Sequence, residues 1–240
     1  MDGTIYFGDK LADKANEIIK YARQNYGTIF FITNNSAKKR KNIYKKLIQL
    51  GIDLKENELI NSSYVIAKYL KENNYKNVYC IGTEDLREEI SSFGVNPLSK
   101  EPEVVVVGYN INFNLKDFEG ILNTPKKDYK IIIANQERIY PRDGGIITPG
   151  AGAIIAALEY TLNRKIDLVM GKPNPLMLEL MTKDLKFKSD EILVIGDSFE
   201  SDVQMAKSFG SESILITNGN NKNDYNCIKV KDLKDILELI

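Results

Sequence analysis

The chain has 240 residues, 43% of them hydrophobic and 28% charged, enough to bury a core in one elaborate domain or in a core with a smaller partner. Thirty-three basic residues balance thirty-three acidic ones, so there is no electrostatic drive toward nucleic acid or an anionic membrane. Histidine is absent and the two cysteines, Cys80 and Cys227, lie far apart. These facts exclude Ser-His-Asp and Cys-His nucleophiles, His-bearing zinc sites and a disulfide scaffold, and they suit a reducing cytoplasm. Catalysis would have to use carboxylates, lysine, hydroxyls, amides, backbone N–H groups or a hard metal ion.

The first residues, MDGTIYFGDK, lack the basic-then-apolar pattern of a signal peptide, and no apolar run approaches membrane-spanning length. A helical pattern covers Leu11 to Tyr26, with Leu11, Ala15, Ile18, Ile19 and Ala22 on one face. The run TIFFIT predicts a strand at Thr28–Thr33, followed by a helix from Ala37 to Leu50 that ends at Gly51 in a left-handed cap. Its lysine and arginine cluster, Lys38 to Lys46, reads as the wet side of an amphipathic helix.

Further strands are predicted at Val78–Ile81, Val104–Val107, Ile131–Ala134, Ile166–Met170, Ile192–Ile195 and Ser213–Thr217. Between them fall helices at Tyr64–Asn73, Glu84–Phe93, Leu115–Leu122, Ala151–Leu162, Pro175–Leu185 and Glu200–Phe209. The alternation is that of an α/β protein with a mostly parallel sheet. Pro149-Gly150-Ala151-Gly152 has neither Walker nor Rossmann spacing, so it reads as a tight turn opening the next helix, with glycine permitting close backbone approach.

Three of the strands end in polar residues. TIFFIT delivers Thr33, Asn34, Asn35 and Ser36. IDLVM delivers Gly171 and Lys172, and ILVIG delivers Asp197 and Ser198, with Asp202 close behind. If these strands are parallel neighbours, a hydroxyl, an ammonium and two carboxylates meet beyond their carboxyl ends, where open α/β sheets bind ligands. Thr33, Asn34 and Lys172 suit a phosphate monoester, and Asp197 is a natural oxygen ligand for Mg²⁺. Each also has a plainer reading: Thr33–Asn35 as a turn and cap, Asn174-Pro175 as helix initiation, Asp202 as a favourable charge at a helix start.

With Asp2-Gly3-Thr4 added, the order of motifs resembles the haloacid-dehalogenase-like (HAD) hydrolase superfamily, whose phosphatases carry DxDGT, a Ser or Thr, a Lys and GDxxxxD. Asp2-Gly3-Thr4 matches the end of the first motif, Thr33 the second, Lys172 the third, and Gly196-Asp197 through Asp202 the fourth. TNNS, IGTEDLREE, PGAGA and GKPNP resemble the NagD-like, 4-nitrophenylphosphatase branch. That resemblance implies a Rossmann-like core at residues 1–75 and 166–240, with an inserted α/β cap domain at 76–165.

The same resemblance implies a Mg-dependent phosphatase that hydrolyses small phosphomonoesters through an aspartyl-phosphate. Sugar phosphates, nucleoside monophosphates and p-nitrophenyl phosphate are its expected substrates. Asp2 would be the acid–base residue, its carbonyl touching the metal. Thr33, Asn34, Gly3 and Ser198 would contact substrate, and Lys172 would neutralise charge. Asp197 would hold the metal, and Asp202 would support it or orient Lys172. Asn135-Gln136-Glu137-Arg138 resembles the stretch where the branch presents specificity residues, and the cap is the natural place for a homodimer contact.

One departure matters. Met1 takes the x of DxDGT, so the nucleophilic aspartate and the strand that leads to it are absent from these residues. The expectation is an internal methionine preceded by a short apolar run ending in Asp, and severe impairment of the chain as written. The alternative is a HAD-like protein that binds a phosphorylated metabolite without turnover.

Overall fold

The computed structural model describes residues 1–125, 127–142, 146–183, 185–219 and 226–239. They form two compact units. The first is Met1–Ile32, Ile43–Ile60 and Lys172–Ile240; the second is Thr33–Asn42 and Asn61–Gly171. The segment expected as a cap, 76–165, falls wholly within the second.

In the first unit, Leu193–Gly196, Glu212–Ile216 and Ile228–Val230 form a parallel ladder in that order, with Ile195 opposite Ile214 and Ile214 opposite Ile228. Ile214 and Ile216 pack on Ala15 and Ile18 of the helix Ala15–Tyr26, the stripe expected from the sequence. That helix starts later than its pattern. Lys10–Leu11 pairs antiparallel with Tyr6–Phe7, and Lys14 adopts a left-handed φ of 63° just before the first turn. A second cluster joins Tyr6, Ile19, Phe31, Leu47, Ile52 and Leu59. Gly51, at φ 81°, follows the helix Arg40–Gln49 as the left-handed stop its sequence signalled.

The second unit is built on a four-stranded parallel sheet ordered Leu168–Val169, Lys130–Ile133, Val104–Val107 and Val78–Ile81. Val104–Val107 is buried throughout, because helices cover both faces of a parallel sheet and no position alternates outward. The helix Ala151–Leu162 packs Ala151, Ile154, Ile155 and Leu158 on Val105, Val107, Ile131 and Ile133. Ile139–Arg142 and Ile146–Pro149 form an antiparallel pair that the sequence pattern does not announce.

Among the described residues the three polar-ended strands are not ladder neighbours. Phe31–Thr33 pairs with Leu59–Asn61, Leu168–Val169 edges the four-stranded sheet, and Leu193–Gly196 edges the three-stranded one. Leu168 and Val169 pair instead with Ile132 and Ile133, continuing the apolar run of that sheet.

Candidate active site

In the first unit the chemistry gathers around the loop after Leu193–Gly196. Asp197 Oδ1 accepts a hydrogen bond from the Thr4 hydroxyl at 2.7 Å. Gly3, at φ 81°, lies so close that a Cβ there would stand 2.3 Å from Asp197 Oδ2. The Asp2–Gly8 segment is curled: Thr4 and Ile5 amides donate to the Met1 carbonyl, and the Gly3 amide to Tyr6. Asp2 Oδ1 accepts from the Gly8 amide at 3.3 Å, which holds an otherwise exposed carboxylate. Asn218 Nδ2 donates to the Gly3 carbonyl at 2.9 Å.

Lys172 is buried, and its Nζ stands 2.7 Å from Asp202 Oδ1. The other oxygen, Asp202 Oδ2, accepts from the Ser198 amide at 3.2 Å. Burial by itself pushes the Asp202 carboxyl up. The Lys172 ammonium, the amino terminus at Met1 and these hydrogen bonds together outweigh it and hold the group below the ordinary carboxylate value. Asp202 thus bonds to Lys172 through one oxygen and to the Ser198 amide through the other. Ser198 is placed as a cap: its hydroxyl accepts from the Ser201 amide at 3.2 Å. Asn174 Oδ1 accepts from the Leu176 amide, so the helix Leu176–Thr182 starts one residue after Pro175.

In the second unit Thr33 ends its strand and its hydroxyl accepts from the Asn35 amide at 3.3 Å. Asn35 Oδ1 in turn accepts from the Ala37 and Lys38 amides, so Asn35 forms the expected turn, but it does not cap the following helix, which starts only at Arg40. Asn34 is buried. Its Nδ2 donates to Glu137 Oε1 at 2.9 Å, and its carbonyl accepts from Asn135 Nδ2 at 2.9 Å.

Among the described residues no three His, Cys, Asp or Glu side chains gather in a metal-binding group. What the first unit offers is the hard carboxylate of Asp197 beside Gly3 and the Thr4 hydroxyl. Mg²⁺ keeps several waters and takes one or two carboxylates, so this donor chemistry fits a hydrated Mg²⁺ and not a closed protein cage.

Comparison with known proteins puts these parts in a family. Residues 1–96 match the haloacid dehalogenase-like hydrolases and residues 169–232 match a HAD-hydrolase-like family. The chain is 31% identical over 249 residues to the sugar-phosphatase AraL of Bacillus subtilis, covering 99% of this chain and 91% of that one. It belongs to the haloacid dehalogenase-like hydrolases. Its fold is shared with a p-nitrophenyl phosphatase from Archaeoglobus fulgidus, at TM-score 0.88 and 26% identity over 100% of this chain and 96% of the other. A nagD protein matches at TM-score 0.90 and 26% identity, with the same coverage. The α/β architecture and the NagD-like branch are thus those read from the motifs.

Three contributors are not legible as such in the sequence. Thr4 lies within the triplet Asp2-Gly3-Thr4, and it is its hydroxyl that donates to Asp197. Asn135 and Glu137 lie in the stretch that resembles the branch's specificity residues, whereas both bond directly to Asn34. The signal for Thr4 was its place in Asp2-Gly3-Thr4; none in the sequence pairs Glu137 with Asn34. No helix among the described residues is long and apolar enough to cross a membrane.

Proposed function

We propose that this chain is a Mg²⁺-dependent phosphatase of small phosphomonoesters, sugar phosphates foremost, acting through an aspartyl-phosphate. The observation that carries the reading is the buried Lys172–Asp202 pair, with Asp197 held by Thr4 in the same unit. A cation oriented inside the protein by a carboxylate is suited to a phosphoryl group. The sugar-phosphatase relative adds the substrate class, and the p-nitrophenyl phosphatase neighbour adds a test compound.

In this reading Lys172 neutralises the phosphoryl group and Asp202 orients Lys172. The Thr33 hydroxyl and the Asn34 segment receive phosphoryl oxygens, and Gly3 and Ser198 contact the substrate. Asp2 protonates the leaving oxygen and then takes a proton from the attacking water. Asp197, with the Asp2 carbonyl, would hold Mg²⁺, which supplies charge stabilisation for the phosphoryl oxygens. The nucleophilic carboxylate belongs two positions before Asp2, outside these 240 residues. The partner is a small phosphorylated metabolite, the compartment the cytoplasm, and the cap the place for a second copy.

The test is p-nitrophenyl phosphate hydrolysis with Mg²⁺, comparing the 240-residue chain with one extended upstream by an apolar run ending in Asp. Turnover that appears or rises at least a thousandfold on extension supports the reading. Tight binding of sugar phosphates with no turnover in either chain would replace it with a binding module.

A further inference from the structure

The loop after the strand Lys130–Ile133 and the glycine turn before the helix Ala151–Leu162 make a connected set of contacts that end on Asn34. Asn135 Nδ2 donates to the Asn34 carbonyl at 2.9 Å. The Glu137 amide donates to Asn135 Oδ1 at 3.2 Å. Asn34 Nδ2 donates to Glu137 Oε1 at 2.9 Å. These three bonds close a ring, so residues 135–137 hold Asn34 by its backbone and its side chain together. Both asparagines are buried, at 7% exposure for Asn34 and 4% for Asn135.

The backbone of Glu137 is itself fixed. The Gly152 amide donates to the Glu137 carbonyl and the Gly150 amide to the Arg138 carbonyl, each at 2.9 Å. A Cβ on Gly150 would stand 2.1 Å from the Glu137 carbonyl oxygen, so only glycine allows that approach. The helix start therefore anchors the loop, and the loop anchors Asn34.

The chemistry of the ring is directional. An ionised carboxylate can only accept, so Glu137 selects the amide orientation that turns Nδ2 toward it. Asn34 Oδ1 is then sent the other way, to within 2.6 Å of where a Cβ on Gly171 would stand. Hydrogen bonds to a charged acceptor are stronger than neutral ones, and stronger still when buried.

We propose that Glu137 is a positioning residue for phosphate binding: it sets the Asn34 side chain, and with it the turn Thr33–Ser36 that receives the phosphoryl oxygens. The assignment rests on the phosphate-binding part of the reading above. Its charge works against its task, because a carboxylate near the site repels a phosphate dianion. Two substitutions separate the effects. Glu137→Ala removes bond and repulsion together, whereas Glu137→Gln removes the repulsion and keeps an acceptor oxygen, though a neutral and weaker one.

The experiment titrates inorganic phosphate into the full chain, following the Asn34 side-chain amide by NMR, and measures KM for p-nitrophenyl phosphate in the upstream-extended chain. Positioning predicts phosphate affinity and KM about tenfold worse in Glu137→Ala, kcat changed less than about threefold, and Glu137→Gln equal to or tighter than the parent. If Ala and Gln both bind as tightly as the parent or tighter, Glu137 is only a charge and the proposal fails. If Glu137→Ala does not fold, Glu137→Leu takes its place, since it also removes the acceptor: Leu and Gln both binding phosphate as tightly as the parent or tighter overturns the assignment, and loss confined to Leu upholds it. Phosphate that shifts Asn34 without any ester hydrolysis defeats the phosphatase reading and leaves the positioning role standing. A parent that binds no phosphate defeats both.

Discussion

Lys172 Nζ lies 2.7 Å from Asp202 Oδ1, and the two side chains are only 7% and 9% exposed. A pair so desolvated contributes little over an apolar replacement, but removing one member strands the other charge. Asp202→Asn and Lys172→Met should each cost about 3–5 kcal/mol in urea unfolding, and the double variant should cost much less than their sum. The acid limb follows the same pair. Because the folded Asp202 carboxyl is held below its unfolded value of about 3.9, its contribution is complete above that pH. It is lost as pH falls through the lower folded value. Parent and Asp202→Asn should converge in stability at the lowest pH. Single variants costing less than about 1 kcal/mol would mean a solvated, weak pair.

Gly3 is the second point of sensitivity. Its φ of 81° is one an L side chain pays about 1–2 kcal/mol to adopt, and its Cβ would enter the Asp197 carboxylate at 2.3 Å. Gly3→Ala should displace Asp197 and weaken Mg²⁺ binding about tenfold, as should Thr4→Val, which removes the hydroxyl from Asp197 Oδ1. Calorimetric Mg²⁺ titration reads both. Unchanged affinity in the two variants would take Asp197 out of the metal site.

The fold was legible wherever a segment buried a continuous apolar run. Val78–Ile81 and Val104–Val107 are strands at the residues read from the sequence, because a strand covered on both faces needs β-branched or apolar residues at every position. Helix starts were not legible to the residue. Leu11 has the right hydrophobicity for the helix Ala15–Tyr26 but pairs with Tyr6, and local pattern cannot see that competition. The hairpin Ile139–Arg142 with Ile146–Pro149 was hidden by its prolines and by isoleucines that stay largely exposed. Near the site, residue types were readable from the motifs but partners were not. Thr4 meets Asp197 across 193 residues and Asn34 meets Glu137 across 103, separations that only tertiary packing closes.

Gly171 and Ser62 give a paired prediction. A Cβ on Gly171 would stand 2.4 Å from the Ala134 carbonyl oxygen, 2.6 Å from Asn34 Oδ1 and 3.1 Å from Ser62 Oγ. Gly171→Ala should cost about 1–3 kcal/mol by overpacking and raise KM by shifting Asn34. Ser62 is fully buried, and among the described residues its hydroxyl has no hydrogen-bond partner. An unsatisfied buried hydroxyl is a cost, so Ser62→Ala should leave stability unchanged or raise it by about 1 kcal/mol. A loss above that size in thermal or urea unfolding would reveal a bond to the hydroxyl.

Cys80 supplies a test at alkaline pH. It lies in the strand Val78–Ile81 at 4% exposure, and burial pushes its thiol up to about 12. Thiolate is the reactive form, so a disulfide reagent at pH 8 should modify the half-buried Cys227 and spare Cys80 until the protein unfolds. The raised value also has a sign for stability. Above the unfolded thiol value of about 8.5, the unfolded chain releases a proton that the folded chain keeps. Stability should therefore fall by about 1.4 kcal/mol per pH unit from that source until the folded value is reached. Other groups titrate in the same range, so the measurement is the difference between parent and Cys80→Ala in urea midpoints from pH 8 to 10. The variant, lacking the thiol, should lose less stability over that interval; parallel curves would show that Cys80 ionises in the fold as it does in water.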